Sequence, residues 1–309
     1  MTKYILACGD EHVLFRRKGV PAEFEEHRYN RLFQSILDRT FDEPDCLAVV
    51  HLGDMFDRQP TIREIGCVVA YLNSVNVKTF LIDGNHEATK KGETFLSELN
   101  KMVTNPLVDI ISCESYEYLG KDDEYRIDFL PYCKLKAFEK NGNDKFENNI
   151  LVTHVRGEIP PHVTPEVDLS IFDKWRLVLA GDLHSHSNSQ RNIVYPGSPL
   201  TTSFYRTKPK KGILKVDLDT LGVEFIDLNL PALIKLTVES KDEIIENTTE
   251  DFLAYDIVPK VEAIIEAKED TVFHKEASRE DAILAVLDAE ESKKKEVIDL
   301  YVNIIRGRS

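Results

Sequence analysis

The stretch Leu47-Ala48-Val49-Val50-His51-Leu52-Gly53-Asp54-Met55-Phe56-Asp57 decides how this chain is read. Its first six residues form a short apolar run interrupted only by His51, the pattern of a strand buried on both faces. A glycine ends the run, and two carboxylates follow at once. The same arrangement occurs four more times. Tyr4–Cys8 leads into Asp10-Glu11-His12, and Thr79–Ile82 leads into Gly84-Asn85-His86-Glu87. Ile150–Thr153 leads into His154, and Leu177–Ala180 into Gly181-Asp182-Leu183-His184-Ser185-His186. In an open α/β sheet the ligand crevice lies outside the carboxyl ends of the strands. Five strands are therefore expected to carry Asp, His and Asn side chains to one rim.

Those residue types suit one kind of chemistry. Two divalent cations roughly 3.5–4 Å apart can clamp both the attacking and the leaving oxygen of an in-line phosphoryl displacement, and they acidify water. A carboxylate must bridge them, and Asp54 is the natural candidate. Imidazole together with carboxylate suits manganese, iron or zinc, whereas an all-oxygen cage suits magnesium or calcium. Two divalent cations are thus the expected cofactor, Mn2+ first, with Mg2+, Fe2+ and Zn2+ as alternatives. His86, one residue after a candidate ligand, is placed to meet the leaving oxygen.

The order D-x-H, GDxxD, GNH, H, G-x-x-H resembles the calcineurin-like metallophosphoesterases. Within them the chain is most similar to the SbcD-type DNA repair and recombination nuclease subunits, phage counterparts included. Leu151-Val152-Thr153-His154 running into Val155-Arg156-Gly157-Glu158 supports that narrower likeness, as does Tyr195-Pro196-Gly197-Ser198-Pro199. The resemblance covers about residues 1–228. It implies that Asp10, His12 and Asp54 hold one metal, completed by His184, and that Asp54, Asn85 and His154 hold the second. His86 and Asp57 would be catalytic, with His86 acting on the scissile phosphate or as general acid. One position departs from the pattern. The family reads G-H-x-H in the fifth motif, and here Asp182 replaces a metal-binding histidine. Either Asp182 ligates, which is the first expectation, or His186 swings in and leaves Asp182 behind it. Gly53-Asp54-Met55-Phe56-Asp57-Arg58 and Gly84-Asn85-His86-Glu87 also resemble serine/threonine protein phosphatases, whose arginine forks onto phosphate. Those enzymes carry a glycine pair after the histidine of the fourth motif, where this chain has Val155-Arg156.

The resemblance therefore implies a metal-dependent DNA nuclease, a 3′-to-5′ exonuclease and single-strand endonuclease. It would work on DNA ends beside an SbcC-like coiled-coil ATPase, with a homodimer as a further option. A phosphomonoesterase or protein phosphatase on the same metal centre is the alternative enzyme. A non-catalytic scaffold, with Asp182 marking a decaying site, is the alternative outside catalysis. Of the other histidines, His51 reads as a core residue behind the site, and His27, His162 and His274 as structural or solvated.

The 309 residues exceed one average domain, and 42% hydrophobic with 30% charged residues is ordinary for a globular protein. Five cysteines without a C-x-x-C read as reduced core residues. The apolar start Tyr4–Cys8 is too short for a signal-peptide core, and no stretch approaches the roughly 18 apolar residues of a membrane span. No membrane partner and a cytoplasmic location (the host's, for a phage-encoded chain) follow as expectations. The net charge of −15 requires any DNA contact to come from local basic surface rather than from the total. Arg16, Arg17 and Lys18 after the first motif are the expected phosphate contacts, with Arg206, Lys208, Lys210 and Lys211 after the Tyr195–Pro199 segment.

Between the motifs, helices are predicted at Glu23–Asp38, from Thr61 as cap to Leu72, and at Glu93–Met102. Further strands are predicted at Tyr125–Leu130, Asn192–Tyr195, Gly212–Val216, Val223–Leu228 and Leu233–Val238. Residues 121–124 and 139–149 read as exposed loops. The fold class is α/β, a two-sheet sandwich flanked by helices, with a nuclease domain at 1–230. Residues 231–309 would form a small cap and a helical partner-binding tail, with helices at Asp242–Ala254, Val258–Ala267 and Arg279–Ile305.

Overall fold

The computed structural model describes residues 2–88, 95–142, 146–147, 149–245 and 250–257. The first sheet opens with four parallel strands, β1 (Tyr4–Cys8), β2 (Cys46–His51), β3 (Lys78–Ile82) and β4 (Val108–Ile111). The second contains β5 (Ser115–Leu119), β6 (Tyr125–Leu130), β7 (Ile150–His154), β8 (Leu177–Gly181) and β9 (Ile193–Val194), in that order across the sheet. An antiparallel hairpin, β10 (Gly212–Asp217) and β11 (Val223–Asp227), then returns to extend the first sheet beside β1. Its strand order is β11-β10-β1-β2-β3-β4.

The central strands bury both faces, which is why β1, β2, β3, β7 and β8 read as near-continuous apolar runs. Ile5, Ala7, Ala48, Val50, Phe80 and Ile82 point from the first sheet toward Ile127, Phe129, Val152 and Leu179 of the second. Phe80 meets Phe129 across this layer, ring centroids 5.0 Å apart. The alternate residues Leu6, Cys8 and Val49 pack outward on helices α1 (Ala22–Asp38) and α2 (Ile62–Ser74) through Leu32, Phe33, Val68 and Leu72. On the far face of the second sheet, Leu151, Val178 and Ala180 are covered by Phe172, Trp175 and Phe138. The sandwich with helices outside is as the sequence implies.

Local chemistry sets the element ends. Thr61 caps α2 in a reciprocal capping box with Glu64. The second oxygen of Glu64 also accepts the Phe15 N–H at 2.6 Å, tying the helix to the loop after β1. Helix α3 (Leu96–Met102) is shorter than predicted. Residues 139–141 complete a helix, α4 (Leu135–Asn141), rather than opening a loop, because Leu135 and Phe138 find the second sheet's outer core. The described residues of the helix expected at Asp242–Ala254 are not α-helical; residues 246–249 lie outside the described residues. A single 3₁₀ turn at Lys241–Glu243 is followed by strand β13 (Phe252–Ile257), which pairs in parallel with β12 (Leu233–Val238). Phe252 contacts Phe24 at 5.4 Å and Phe204 at 6.3 Å, tertiary packing that overrides the local helical composition. The helices expected at Val258–Ala267 and Arg279–Ile305 lie outside the described residues. All five cysteines are free; Cys8 and Cys46 are in the core, but Cys113 and Cys133 are exposed.

One buried guanidinium fastens the segments around Thr201 and Pro231 to α1. Arg28 is fully buried, pairs with Glu25 at 2.8 Å, and donates to the carbonyls of Pro231 at 3.0 Å and Thr201 at 2.8 Å. Removing it leaves one oxygen of buried Glu25 and two carbonyls without their donor, while Arg17 still holds the other Glu25 oxygen. Arg28→Ala is expected to cost about 3–5 kcal/mol in urea unfolding; a loss under about 1 kcal/mol would show that this anchor does not hold the segment.

Candidate metal centre

The carboxyl ends of β1, β2 and β3 from one sheet and of β7 and β8 from the other meet at one place. His154 Nδ1 donates to the Leu52 carbonyl at 2.7 Å, joining the sheets there. Four site residues leave their strands with backbone in the left-handed region: Asp10 (φ 55°), His12 (φ 49°), Asp54 (φ 54°) and Asp182 (φ 99°). Such conformations cost energy and persist where surrounding structure enforces them. Close approach needs glycine. A Cβ on Gly84 would lie 2.1 Å from Asp54 Oδ1, and one on Gly53 (φ +89°) would lie 2.7 Å from His154 Nδ1.

Asp54 sits at the centre. Its Oδ2 has His154 Nε2 at 3.6 Å, His12 Nε2 at 3.8 Å and His86 Nε2 at 3.8 Å. These gaps are too long for hydrogen bonds. They suit donor atoms that share a cation about 2.1 Å from each. His12 Nε2 lies 2.9 Å from His184 Nε2, and Asp10 belongs to the same group. Asp10, Asp54 and His154 form a second group. The side-chain oxygen of Asn85 faces His154 Nε2 at 2.8 Å, Asp54 Oδ2 at 3.1 Å and Asp182 Oδ1 at 3.3 Å. An oxygen facing only acceptors is arranged for a cation. Asp10 Oδ2 and His12 Nδ1 are buried without a hydrogen-bond partner. The donor set therefore fits two divalent cations, with Asp54 between Asp10, His12 and His184 on one side and Asn85 and His154 on the other.

Electrostatics agree. Burial drives the Asp10 carboxyl well above its ordinary range; His154 pulls it back and Asp54 pushes it further. Burial, then the imidazoles of His184 and His86, push His12 down to about 2, leaving it neutral as a ligand must be. With Nδ1 of His154 committed to a carbonyl, its Nε2 faces the cluster.

The two candidates of the fifth motif part company. Asp182 Oδ1 lies 4.0 Å from His154 Nε2, inside the cluster. His186 donates from Nδ1 to the Tyr195 carbonyl at 2.6 Å and stacks on Phe225, ring centroids 5.0 Å apart, turned away from it. His86, partly exposed, donates from Nδ1 to the Asp57 carbonyl, so its Nε2 looks toward Asp54. The Asp57 carboxylate lies 3.7 Å from His12 Nδ1.

The basic residues divide. Arg16, Lys18 and Arg206 are exposed. Arg17 is internal, paired with Glu25 at 2.7 Å and donating to the Thr202 carbonyl. Lys208 pairs with Asp251 at 3.1 Å, and Lys211 donates to the His184 carbonyl at 2.9 Å, supporting the strand-end turn. His51 is a core residue, between Glu11 Oε1 at 2.6 Å and the Tyr71 hydroxyl at 3.0 Å. Sequence reasoning gave no role to Glu87. Its buried carboxylate accepts the N–H groups of Asp54 (3.0 Å), Gly84 (2.9 Å) and Phe56 (2.9 Å), fixing the second and third motifs to each other. Its place in the Gly-Asn-His-Glu run was the only available signal.

Two protons make the metal-free site sensitive to pH. Burial opposes charging His154, but Asp54 and Asp10 outweigh it and carry its pKa from 6.5 up to about 9. Burial, reinforced by Asp54, raises Glu87 from 4.5 to about 8. Both folded groups hold protons that the unfolded chain has released, so stabilisation is lost as pH rises, from about 4.5 through 8 for Glu87 and from about 6.5 through 9 for His154. The melting temperature of chelator-treated protein is expected to fall across these windows, and saturating Mn2+ should restore it at the alkaline end. A flat profile, or no shift with Mn2+, would contradict this electrostatic picture.

A model of the family described as calcineurin-like phosphoesterase matches residues 3–186. The chain is 33% identical over 299 residues to "Probable exonuclease subunit 1" of Escherichia phage T5, covering 92% of this chain and 88% of that protein. It is 24% identical over 245 residues to a Staphylococcus saprophyticus protein named as the D component of the nuclease SbcCD, covering 68% of this chain and 63% of that protein. A crystal structure from Thermus thermophilus aligns with a TM-score of 0.46 and 13% identity, over 74% of this chain and all of that one. No described helix is long and apolar enough to cross a membrane. The chain belongs to the calcineurin-like phosphoesterase family.

Proposed function

We propose that this phosphoesterase is a DNA nuclease subunit that hydrolyses phosphodiesters with two divalent cations, Mn2+ first among them. The observation that carries the reading is the pair of imidazole nitrogens, His154 at 3.6 Å and His12 at 3.8 Å from one Asp54 oxygen, an arrangement for shared cations at a strand-end rim with His86 Nε2 beside it. The phage T5 relative, similar over most of both chains and named an exonuclease subunit, supports DNA as the substrate.

Asp10, His12, Asp54 and His184 would hold one cation, and Asp54, Asn85, His154 and Asp182 the other. Asp182 is preferred to His186, which Tyr195 and Phe225 hold aside. Cations bound there supply Lewis-acid neutralisation of phosphate charge and acidify water. The chain's own contribution is positional. Asp57 fixes the His86 ring through its carbonyl, and His86 Nε2, when protonated, delivers a proton to the departing 3′ oxygen. Arg16, Lys18 and Arg206, exposed near the strand-end loops, are the proposed contacts to flanking phosphates.

The wider role follows the relatives. We assign the chain to DNA end processing in recombination or repair, as a 3′-to-5′ exonuclease and single-strand endonuclease. It would act in the cytoplasm beside an SbcC-like coiled-coil ATPase, as the name of the Staphylococcus relative suggests. Residues 1–230 would form the nuclease domain and 231–309 the cap and partner-binding tail.

The test is end-labelled linear and single-stranded DNA incubated with Mn2+, Mg2+ or chelator, beside nitrophenyl phosphate. Manganese-dependent cleavage with little monoester turnover is expected. His86→Ser should keep its metal and lose about 10²- to 10⁴-fold in kcat. Fast monoester hydrolysis with intact DNA would replace the nuclease by a phosphatase, and a fully active His86→Ser would remove the acid from this mechanism.

A further inference from the structure

Arg156 stands two residues beyond His154 and belongs to no role described above. Its guanidinium forks onto Asp182, Nε to Oδ2 at 3.2 Å and Nη2 to Oδ1 at 3.2 Å. The Asp182 carboxylate is buried, whereas the Arg156 side chain is 43% exposed. A guanidinium has five N–H donors in a planar fork, and this contact uses two. Among the described residues no other acceptor takes the remaining three. The nearby Glu166 is occupied differently, both its oxygens accepting the Arg156 backbone N–H at 3.3 Å.

The arrangement thus has a buried carboxylate at the metal cluster gripping one edge of an arginine whose other edge opens to solvent. Both contacts lie at 3.2 Å, the long end of the hydrogen-bond range, and among the described residues they leave Nη1 and the second Nη2 hydrogen open. A DNA strand reaching the rim brings phosphate charge that calls for a local cation. A cation held at that rim, its planar donors matched to two phosphate oxygens, meets the need at small cost in side-chain entropy.

We propose that Arg156 is a substrate-binding residue, anchored by Asp182 and contacting a phosphodiester phosphate of the DNA strand through its open N–H edge. The proposal rests on the nuclease reading. It gives the departure in the fifth motif a purpose: the carboxylate in place of histidine both faces the metal cluster and seats the phosphate clamp.

The experiment uses the full chain with Arg156→Met, Arg156→Gln and Arg156→Lys. Calorimetry measures Mn2+ binding, inorganic phosphate serves as a competitive probe, and steady-state cleavage of single-stranded DNA separates KM from kcat. The Met and Gln variants are expected to bind Mn2+ at least as tightly as the parent. They should raise the DNA KM and the phosphate inhibition constant about tenfold or more and reduce the salt slope of DNA binding by about one. The Lys variant, keeping charge without the fork, should fall between. Unchanged KM and phosphate inhibition would overturn the proposal, as would weakened Mn2+ binding with unchanged phosphate affinity, which would leave Arg156 only a support for Asp182. Manganese-dependent turnover of nitrophenyl phosphate by the parent chain, with DNA uncut, would remove the nuclease reading and this proposal together. A parent that cuts DNA with variants that match it removes this proposal alone.

Discussion

The constraint on which this structure depends is the concentration of carboxylates where its two sheets meet. Asp10, Glu11, Asp54 and Glu87 are each 3% exposed or less, and Asp182 lies beside them. Water cannot screen charges in such a place, and an unpaired buried carboxylate is costly. The molecule answers in three ways. Backbone N–H groups crowd Glu87, and Asp10 Oδ1 accepts the Asp182 N–H at 2.9 Å. Histidine nitrogens ring Asp54. An arginine forks onto Asp182. What these donors do not satisfy is the set of inward-facing acceptor atoms, and divalent cations are the partners that fit them.

Holding that cluster explains features that look unrelated along the chain. Strand ends from both sheets must stop at the same depth, so His154 bonds across to Leu52. The chain must turn sharply at each end, hence the left-handed Asp10, His12, Asp54 and Asp182. Tyr29 reaches from α1 to the His12 carbonyl, and Lys211 reaches to that of His184, so the turns bearing two candidate ligands are braced from behind. The rigidity lies in the surrounding core, and the strain lies where the chemistry is placed.

Much of this was legible because the buried strands obey a simple rule. Tyr4–Cys8, Tyr125–Leu130 and Leu233–Val238 carry the observed bounds: the first is apolar and buried throughout, and the other two alternate apolar residues (Tyr125, Ile127, Phe129; Ile234, Leu236, Val238) with polar ones. The edge strand Ser115–Leu119 was not legible: its alternate residues Tyr116 and Tyr118 are exposed and its composition resembles a loop. The C-terminal end of the helix expected at Asp242–Ala254 is a strand instead, because Phe252 is held by distant Phe24 and Phe204, contacts no local window contains. At the site, the ligand-type residues were visible as strand-end motifs. Their supports were not. Glu87 acts on backbone N–H groups, Arg17 turns inward to Glu25, and Arg156 gains meaning only once β7 and β8 lie side by side. A total charge of −15 gave no hint of where a phosphate might be welcomed.

The most direct test of the account is the number and coupling of bound cations. Mn2+ titrated into the metal-free chain and followed by electron paramagnetic resonance should saturate at about two equivalents, the pair bridged by one carboxylate and therefore magnetically coupled. Asp54→Asn should abolish the coupled signal. One isolated ion per chain, or a coupled pair that survives Asp54→Asn, would contradict the claim that the five strand ends exist to hold two cations across Asp54.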